Sequence, residues 1–228
     1  MAILTELLTP GDVFKFEDGA EALYSRDNVT VLSGQNLLIG TVVGKIALGA
    51  ATSAVKASGA NTGNGTLVLD ATTPVLANAQ AGLYQVRITV AGTNSFTARV
   101  YDPTGDSLGD ISVSGSGASG TFSDQIKFAI TDGGTDFIVG DGFDVTIAAG
   151  SNKVAAVAAA GTNGTQVAAG IMFSSTDATL GDARGVMVAR DAIYADVKAI
   201  WPVGASAAQK AIWAAQLASV GIIPRVGV

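Results

Sequence analysis

Apolar and polar positions alternate most plainly in the middle of the chain. Tyr84, Val86, Ile88 and Val90 fall on one face of an extended segment, with Gln85, Arg87 and Thr89 on the other. The same period of two recurs at Phe96, Ala98 and Val100, at Ile126, Phe128 and Ile130, and at Phe143, Val145 and Ile147. Successive side chains of a strand point to opposite faces, so this alternation predicts half-buried β-strands. Shorter strands are expected at 67–69, 110–113 and 137–139. Turn sequences separate them: Asp102-Pro103-Thr104-Gly105, the glycine-rich stretch 115–120, Asp132-Gly133-Gly134 and Asp141-Gly142. Several short alternating strands punctuated this way predict a small antiparallel β-sandwich.

The flanking sequence is β in character but patterned differently. After Val29-Thr30-Val31 and the turn Ser33-Gly34-Gln35-Asn36, the run LLIGTVVGKI (37–46) is almost continuously apolar. It predicts strands at 37–39 and 41–46 that are buried on both faces, by the fold or by a neighbouring subunit. Further strands are expected at 154–157, 166–173, 184–190 and 193–197. Residues 49–65 (GAATSAVKASGANTGNG) and 148–153 (AAGSNK) have linker composition. The chain is therefore expected to divide into an outer domain, residues 1–50 with 152–228, and an inserted domain, residues 51–151.

The end of the chain predicts a helix. Ser206 followed by Gln209 is a capping-box pattern, and Gly221 supplies the stop. Between them Ile212, Trp213, Gln216, Leu217 and Val220 share one face. The first 24 residues have weak periodicity, the turn signal Pro10-Gly11-Asp12, and all three glutamates, Glu6, Glu17 and Glu21. They read as an arm with limited contact to its own core. With Glu6 inside its apolar stretch and no basic start, this leader does not read as a cleaved signal. No apolar run reaches the ~20 residues of a membrane-spanning helix.

Composition narrows the chemistry. Hydrophobic residues make up 48% and charged residues 14%, enough apolar material for a core. The absence of Cys and His removes disulfides, thiol chemistry, Cys/His zinc sites and the Ser-His-Asp triad. No cofactor or enzymatic activity is expected. The net charge of -6 is uneven: between residues 51 and 151 four basic residues face nine aspartates, a net of -5. Without clustered Lys or Arg, nucleic acid is not an expected partner, nor is a membrane.

Two groups of residues carry weaker signals. Asp132, Asp136, Asp141 and Asp144 crowd four carboxylates into thirteen residues, which suits either calcium or ordinary hairpin turns. Tyr101 sits beside a turn, where it is placed to stack on a ligand such as a carbohydrate. Trp201 and Trp213 suit a protein interface or an anchor for the helix on its own domain. GTVVGK (40–45) lacks the spacing of a phosphate-binding loop.

Taken without the middle, the outer pieces resemble the head decoration proteins of tailed phages, the family of the lambda head decoration protein D. The resemblance rests on the succession SRDNVTV (25–31), SGQNL (33–37), GTVVGK (40–45), GTQVAAGI (164–171) and VMVARDA (186–192). It continues through Trp201-Pro202, the helix and Gly221-Ile222-Ile223. It implies a mainly β, β-clip-like body with a short C-terminal helix. It also implies a homotrimer bound to the major capsid protein on the outer surface of the expanded head, stabilising it, after assembly in the host cytoplasm. The N-terminal arm is then the shell contact, with Thr9, Pro10, Gly11, Asp12 and Phe14 as candidates. Leu38, Ile39, Val42, Trp201 and Trp213 are the candidates for trimer contact or packing. A second reading makes the inserted domain a module that attaches the virion to a host glycan or another cell-surface ligand.

Overall fold

The computed structural model describes residues 8–18 and 24–226. The first element among the described residues is a helical turn α1 (Pro10–Val13), followed by β1 (Phe14–Glu17), β2 (Arg26–Val31), β3 (Gln35–Leu37) and β4 (Val42–Lys45). Next come β5 (Leu48–Val55), β6 (Thr66–Leu69), β7 (Gly82–Gly92) and β8 (Ser95–Tyr101). They are followed by β9 (Ser107–Ser114), β10 (Ser119–Ser123), β11 (Lys127–Thr131) and β12 (Gly142–Ala149). The remainder is β13 (Val154–Ala156), β14 (Gly170–Met172), β15 (Thr176–Ala178), β16 (Ala183–Val188) and β17 (Ala192–Ala195), then α2 (Ala207–Ser219) and β18 (Ile222–Arg225). The protein is mainly β with one short C-terminal helix. It divides into two compact units, Met1–Ile46 with Asn152–Val228, and Ala47–Ser151.

In the middle unit, one antiparallel sheet has the order β5-β12-β7-β8-β9 and a second has β10-β11-β6. Both sheets contribute to one continuous core, in which Tyr84, Val86, Ile88, Phe128, Ile130, Val145 and Ile147 are almost wholly excluded from water. The alternating faces expected at 84–88, 96–100, 126–130 and 143–147 point inward. Val90 does not. A register shift between Ile88 and Val90 in the pairing with β8 inserts a residue, and Val90 is left exposed.

Three local expectations fail here. Residues 49–55, expected within a linker, form with Leu48 the edge strand β5 on β12. Only Leu48 of that strand is buried, because an edge strand needs a main-chain partner on one side and little side-chain bulk. Residues 119–123, partly read as a turn, form β10 and bury Phe122. Residues 137–139, expected as a strand, are a turn with Ile138 and Val139 exposed. Phe137 alone goes inward, edge-on to both Phe96 and Phe143.

The outer unit is built on a closed barrel, β13-β2-β16-β14-β4. The pairing of β13 with β2 is parallel and rests on Val154 opposite Val31. A small β15–β3 pair and a sheet of order β1-β17-β18 complete it. β17 and β18 run parallel, so the chain must cross over between them, and α2 makes the crossover. Its cap forms as the sequence predicts: Ser206 N–H donates to Gln209 Oε1 (2.9 Å), and Gln209 N–H to Ser206 Oγ (3.2 Å). Gly221 ends it at φ +81°, with Asp191 packed where a Cβ would stand. The buried stripe is narrower than expected. Trp213 and Leu217 enter the core, whereas Ile212 and Val220 are exposed.

Where the chain leaves the outer unit and returns, its ends are paired. Ile46 N–H donates to Lys153 O (2.9 Å), and Asn152 N–H to Ile46 O (3.0 Å). In the middle unit Gly150 N–H donates to Ala47 O (2.9 Å).

Candidate functional site

The amino-terminal candidates fall on α1 and the start of β1. Thr9 caps the turn: its N–H and hydroxyl both donate to the Asp12 carboxylate, at 2.8 and 2.7 Å. Those bonds hold the Asp12 carboxyl below its ordinary range, the Thr9 N–H contributing most. Thr9, Gly11 and Asp12 are exposed and Pro10 is half-buried. Phe14, by contrast, is turned inward and stacks on Phe173 with ring centroids 5.7 Å apart.

The expectation of an arm with little contact to its own core does not hold for residues 13–18. Val13 is fully buried, and β1 pairs antiparallel with β17, Phe14 lying opposite Tyr194. Glu17 accepts two bonds of 2.7 Å from Arg26, whose guanidinium lies 3.6 Å over the Phe173 ring. The buried Ser25 hydroxyl accepts from Asp18 N–H and donates to Asp191 O. The sequence signal was Val13, Phe14 and Phe16, an alternation too short to establish a period. The expectations for residues 1–7 and 19–23, Glu6 and Glu21 among them, lie outside the described residues.

The second set of candidates separates into surface and core. Leu38 is exposed, Ile39 and Trp201 are half-buried, and Val42 and Trp213 are buried. Trp201 stacks on Trp213 with centroids 6.0 Å apart and planes within 8°. Trp213 Nε1–H donates to Gln166 O (3.0 Å), and Ala168 N–H donates to Gln216 Oε1 (2.8 Å). Both tryptophans thus tie the helix to its own unit, and only Trp201 reaches the surface. It borders a concavity of about 470 Å³ with Asp196, Val197, Lys210 and Ala214.

Sequence reasoning missed the most exposed apolar side chains of this unit. Leu180 and Val203 stand fully in water, Val197 is more than half exposed, and so is Ile212, which the sequence placed on the helix's apolar stripe. The signal was present: Leu180 and Val203 each precede a glycine in a turn, where a bulky apolar residue has no core to enter.

The four clustered aspartates separate in the fold. Asp141 is buried and accepts from the N–H groups of Thr62, Gly63 and Ile138 at 2.9–3.1 Å. Burial pushes its pKa up, but those three donors outweigh it and hold the carboxyl below the ordinary range. Asp136 accepts from Asn94 N–H, and Asp144 pairs with Arg87 at 2.6 Å. Asp132 is buried with one carboxylate oxygen lacking a partner among the described residues. No group of three or more acidic residues able to hold a metal occurs among the described residues.

The family model for the bacteriophage lambda head decoration protein D matches residues 3–222. The chain belongs to that family. It is a phage head decoration protein, a structural class whose place is the virion capsid. No match was found among curated proteins. Two crystal structures of Xanthomonas campestris FlgL resemble 50% and 57% of this chain, at 19% identity and TM-scores of 0.31 and 0.30. This chain spans about a third of FlgL, 34% and 33%, and a superposition so loose carries no argument.

Proposed function

We propose that this protein binds the outer surface of the expanded head as a homotrimer and stabilises the shell through contacts with the major capsid protein. Family membership supports the site of action. The observation that carries the mode of action is the set of bulky apolar side chains left in water on a well-filled outer unit: Leu38, Leu180, Val197, Val203 and Ile212. Each isolated apolar residue is ordinary, but several on one small body suit a surface that other subunits cover. Thr9, Pro10, Gly11 and Asp12 remain the capsid-contact candidates, fixed in shape by their own cap.

In this reading the middle unit is an antiparallel β-sandwich domain spliced into a loop of the decoration body. It is acidic, folds on its own core and projects from the shell. A second reading, in which it attaches the virion to a host-surface glycan, is favoured by a concavity beside Tyr101.

Purified protein mixed with expanded heads stripped of decoration should give density at three-fold positions in cryo-electron microscopy. Light scattering at micromolar concentration should give the trimer mass. Naked three-fold positions, or a monomer at that concentration, would each overturn the corresponding half of the proposal. Removing residues 1–8 spares Val13 and Phe14, so weakened head binding by that variant would implicate the segment without unfolding the body.

A further inference from the structure

The outward face of the five-stranded sheet in the middle unit is largely polar, with exposed bulky apolar side chains at Leu83 and, toward the far end of β7, Val90. Register sets Gln85 opposite Tyr101, side by side on that face, and Leu83 lies two residues along β7 from Gln85. Leu83 is 41% exposed, and Arg87, Arg99, Asp110, Thr97 and Ser112 lie further along the same face. Together with the turn running from Asp102 to Gly105 these residues bound an open concavity of about 340 Å³. That is the lower end of the range for small-ligand sites, with room for a sugar ring and part of its neighbour.

The concavity is rigid on each side. Asp102 is buried, and its Oδ1 accepts from Thr104 N–H (2.9 Å), Thr104 Oγ (2.6 Å) and Asp106 N–H (2.9 Å). Pro103 rests on Gly82, whose φ of +140° and missing side chain permit the approach; a Cβ there would lie 2.7 Å from Pro103 Cβ. At the other side Arg99, two residues along β8 from Tyr101 and on the same face, is clamped by two bonds to Asp110 at 2.6 and 2.8 Å. A braced turn beside a half-buried aromatic ring is therefore preset before any ligand arrives, which lowers the ordering cost of binding.

We propose that this shelf binds a neutral hexose residue of a polysaccharide. The inference rests on the glycan-attachment reading and names its site. A pyranose offers a face of C–H bonds that packs on an aromatic ring, here Tyr101 with Leu83 beside it. Its hydroxyls both donate and accept, and the Gln85 amide does both. Charge selects against acidic sugars: the two nearby guanidinium groups are already neutralised, Arg87 by Asp144 and Arg99 by Asp110. The surrounding segment is net negative, with nine aspartates against four basic residues between 51 and 151. A single shelf of this depth binds weakly, in the millimolar range of about 4 kcal/mol. A repeating polysaccharide and several copies of the protein on one particle raise that through multivalency.

The test is affinity electrophoresis of the full-length protein in native gels containing dextran, yeast mannan or a galactan, with alginate as the anionic polymer. At least one neutral polymer should retard the wild-type protein, and alginate should not. Tyr101→Ala and Gln85→Ala should each weaken retardation at least tenfold, Gln85→Ala without moving the melting temperature, and both variants should stay folded by circular dichroism, whereas Tyr101→Phe should retain retardation. Retardation that persists in Tyr101→Ala and Gln85→Ala overturns the shelf while leaving glycan attachment standing. No retardation by any neutral polymer overturns both, and retardation by alginate alone overturns the neutral-sugar assignment.

Discussion

In the middle unit the strands are long enough to show their period: β7 runs over Gly82–Gly92, and its inward residues Tyr84, Val86 and Ile88 meet those of β8 and β12 in one continuous core. The barrel strands of the outer unit are three to six residues long, and the interior there falls into two clusters around Tyr194 and Met172. The middle unit fills its core with Phe and Ile. The outer unit uses closure, a parallel contact between Val31 and Val154, and a helix held by Trp213. One unit is built from long alternating strands and bulky side chains, its edge strand β5 returning to pair with β12. The other is built from short strands closed into a barrel, and leaves Leu180 and Val203 in water.

The most severe way to break this comparison is to separate the units. Ile46 and Asn152 are already paired, so joining them through Gly-Gly should give a soluble, β-rich outer unit. Residues 47–151 expressed alone should melt cooperatively with a β-type circular dichroism spectrum. An aggregated outer unit beside a well-folded fragment would show that only the middle unit is self-sufficient.

Phe137→Ala should have the next largest effect. The ring lies edge-on to Phe96 and Phe143, and Gly63 packs against it with no room for a side chain. Truncation should cost about 3–5 kcal/mol. In calorimetry of the full chain only one of two transitions should move; a shift of both would show that the units unfold together.

Acid sharpens the contrast less strongly. In the middle unit the Lys127 ammonium, with the Thr73 and Thr72 N–H groups, holds Asp70 below the ordinary range. The Thr104 hydroxyl does the same for Asp102 and the Arg99 guanidinium for Asp110, while backbone donors overcome burial at Asp141. In the outer unit Asp12, Asp177 and Asp182 are depressed too. Each of these groups binds its proton less tightly folded than unfolded. The stabilisation is therefore complete above about pH 4, the ordinary carboxylate value, and is lost as pH falls below it. Denaturant melts at pH 6 and pH 3 should show a larger loss in the middle unit. An equal or larger loss in the outer unit would contradict this accounting.

Tyr194→Phe should do least. The hydroxyl is buried in the outer core without a partner among the described residues, and burial, with Asp196 nearby, pushes its pKa up to about 12. Removing an unsatisfied hydroxyl should leave stability within about 1 kcal/mol or raise it. A loss of 2 kcal/mol or more, roughly the cost of orphaning a real partner, would show that the hydroxyl is bonded in solution.

How much could be read from the sequence follows the same division. The inward faces at Phe96–Val100 and Phe143–Ile147 were legible because bulk and alternation coincide there. Edge strand β5 was not, because Ala, Ser and Thr along a main-chain ladder look like a linker when read one residue at a time. Val90 was misplaced by a bulge, which no side chain announces. In the outer unit Ser206 and Gln209 declared the helix, but barrel closure left no local mark, and only the succession of short segments pointed to the family. Of the candidate contact residues, Thr9, Gly11, Asp12 and Leu38 lie at the surface, while Val42, Trp213 and Phe14 fill the interior. Burial depends on what crosses over a residue, and a short apolar run does not reveal it.

The paired ends at Ile46 and Asn152 also bear on the order in which the chain folds. β4 and β13 meet at Lys45 and Val154, more than a hundred residues apart. Closing an unstructured loop of that length costs about 3 kcal/mol more than closing a tight turn. Once the middle unit has folded, Ala47 and Gly150 are hydrogen-bonded to each other, and the long loop has become a short one. If the middle unit folds first, it acts as a clamp in time: its collapse leaves the barrel of the outer unit only a short loop to close.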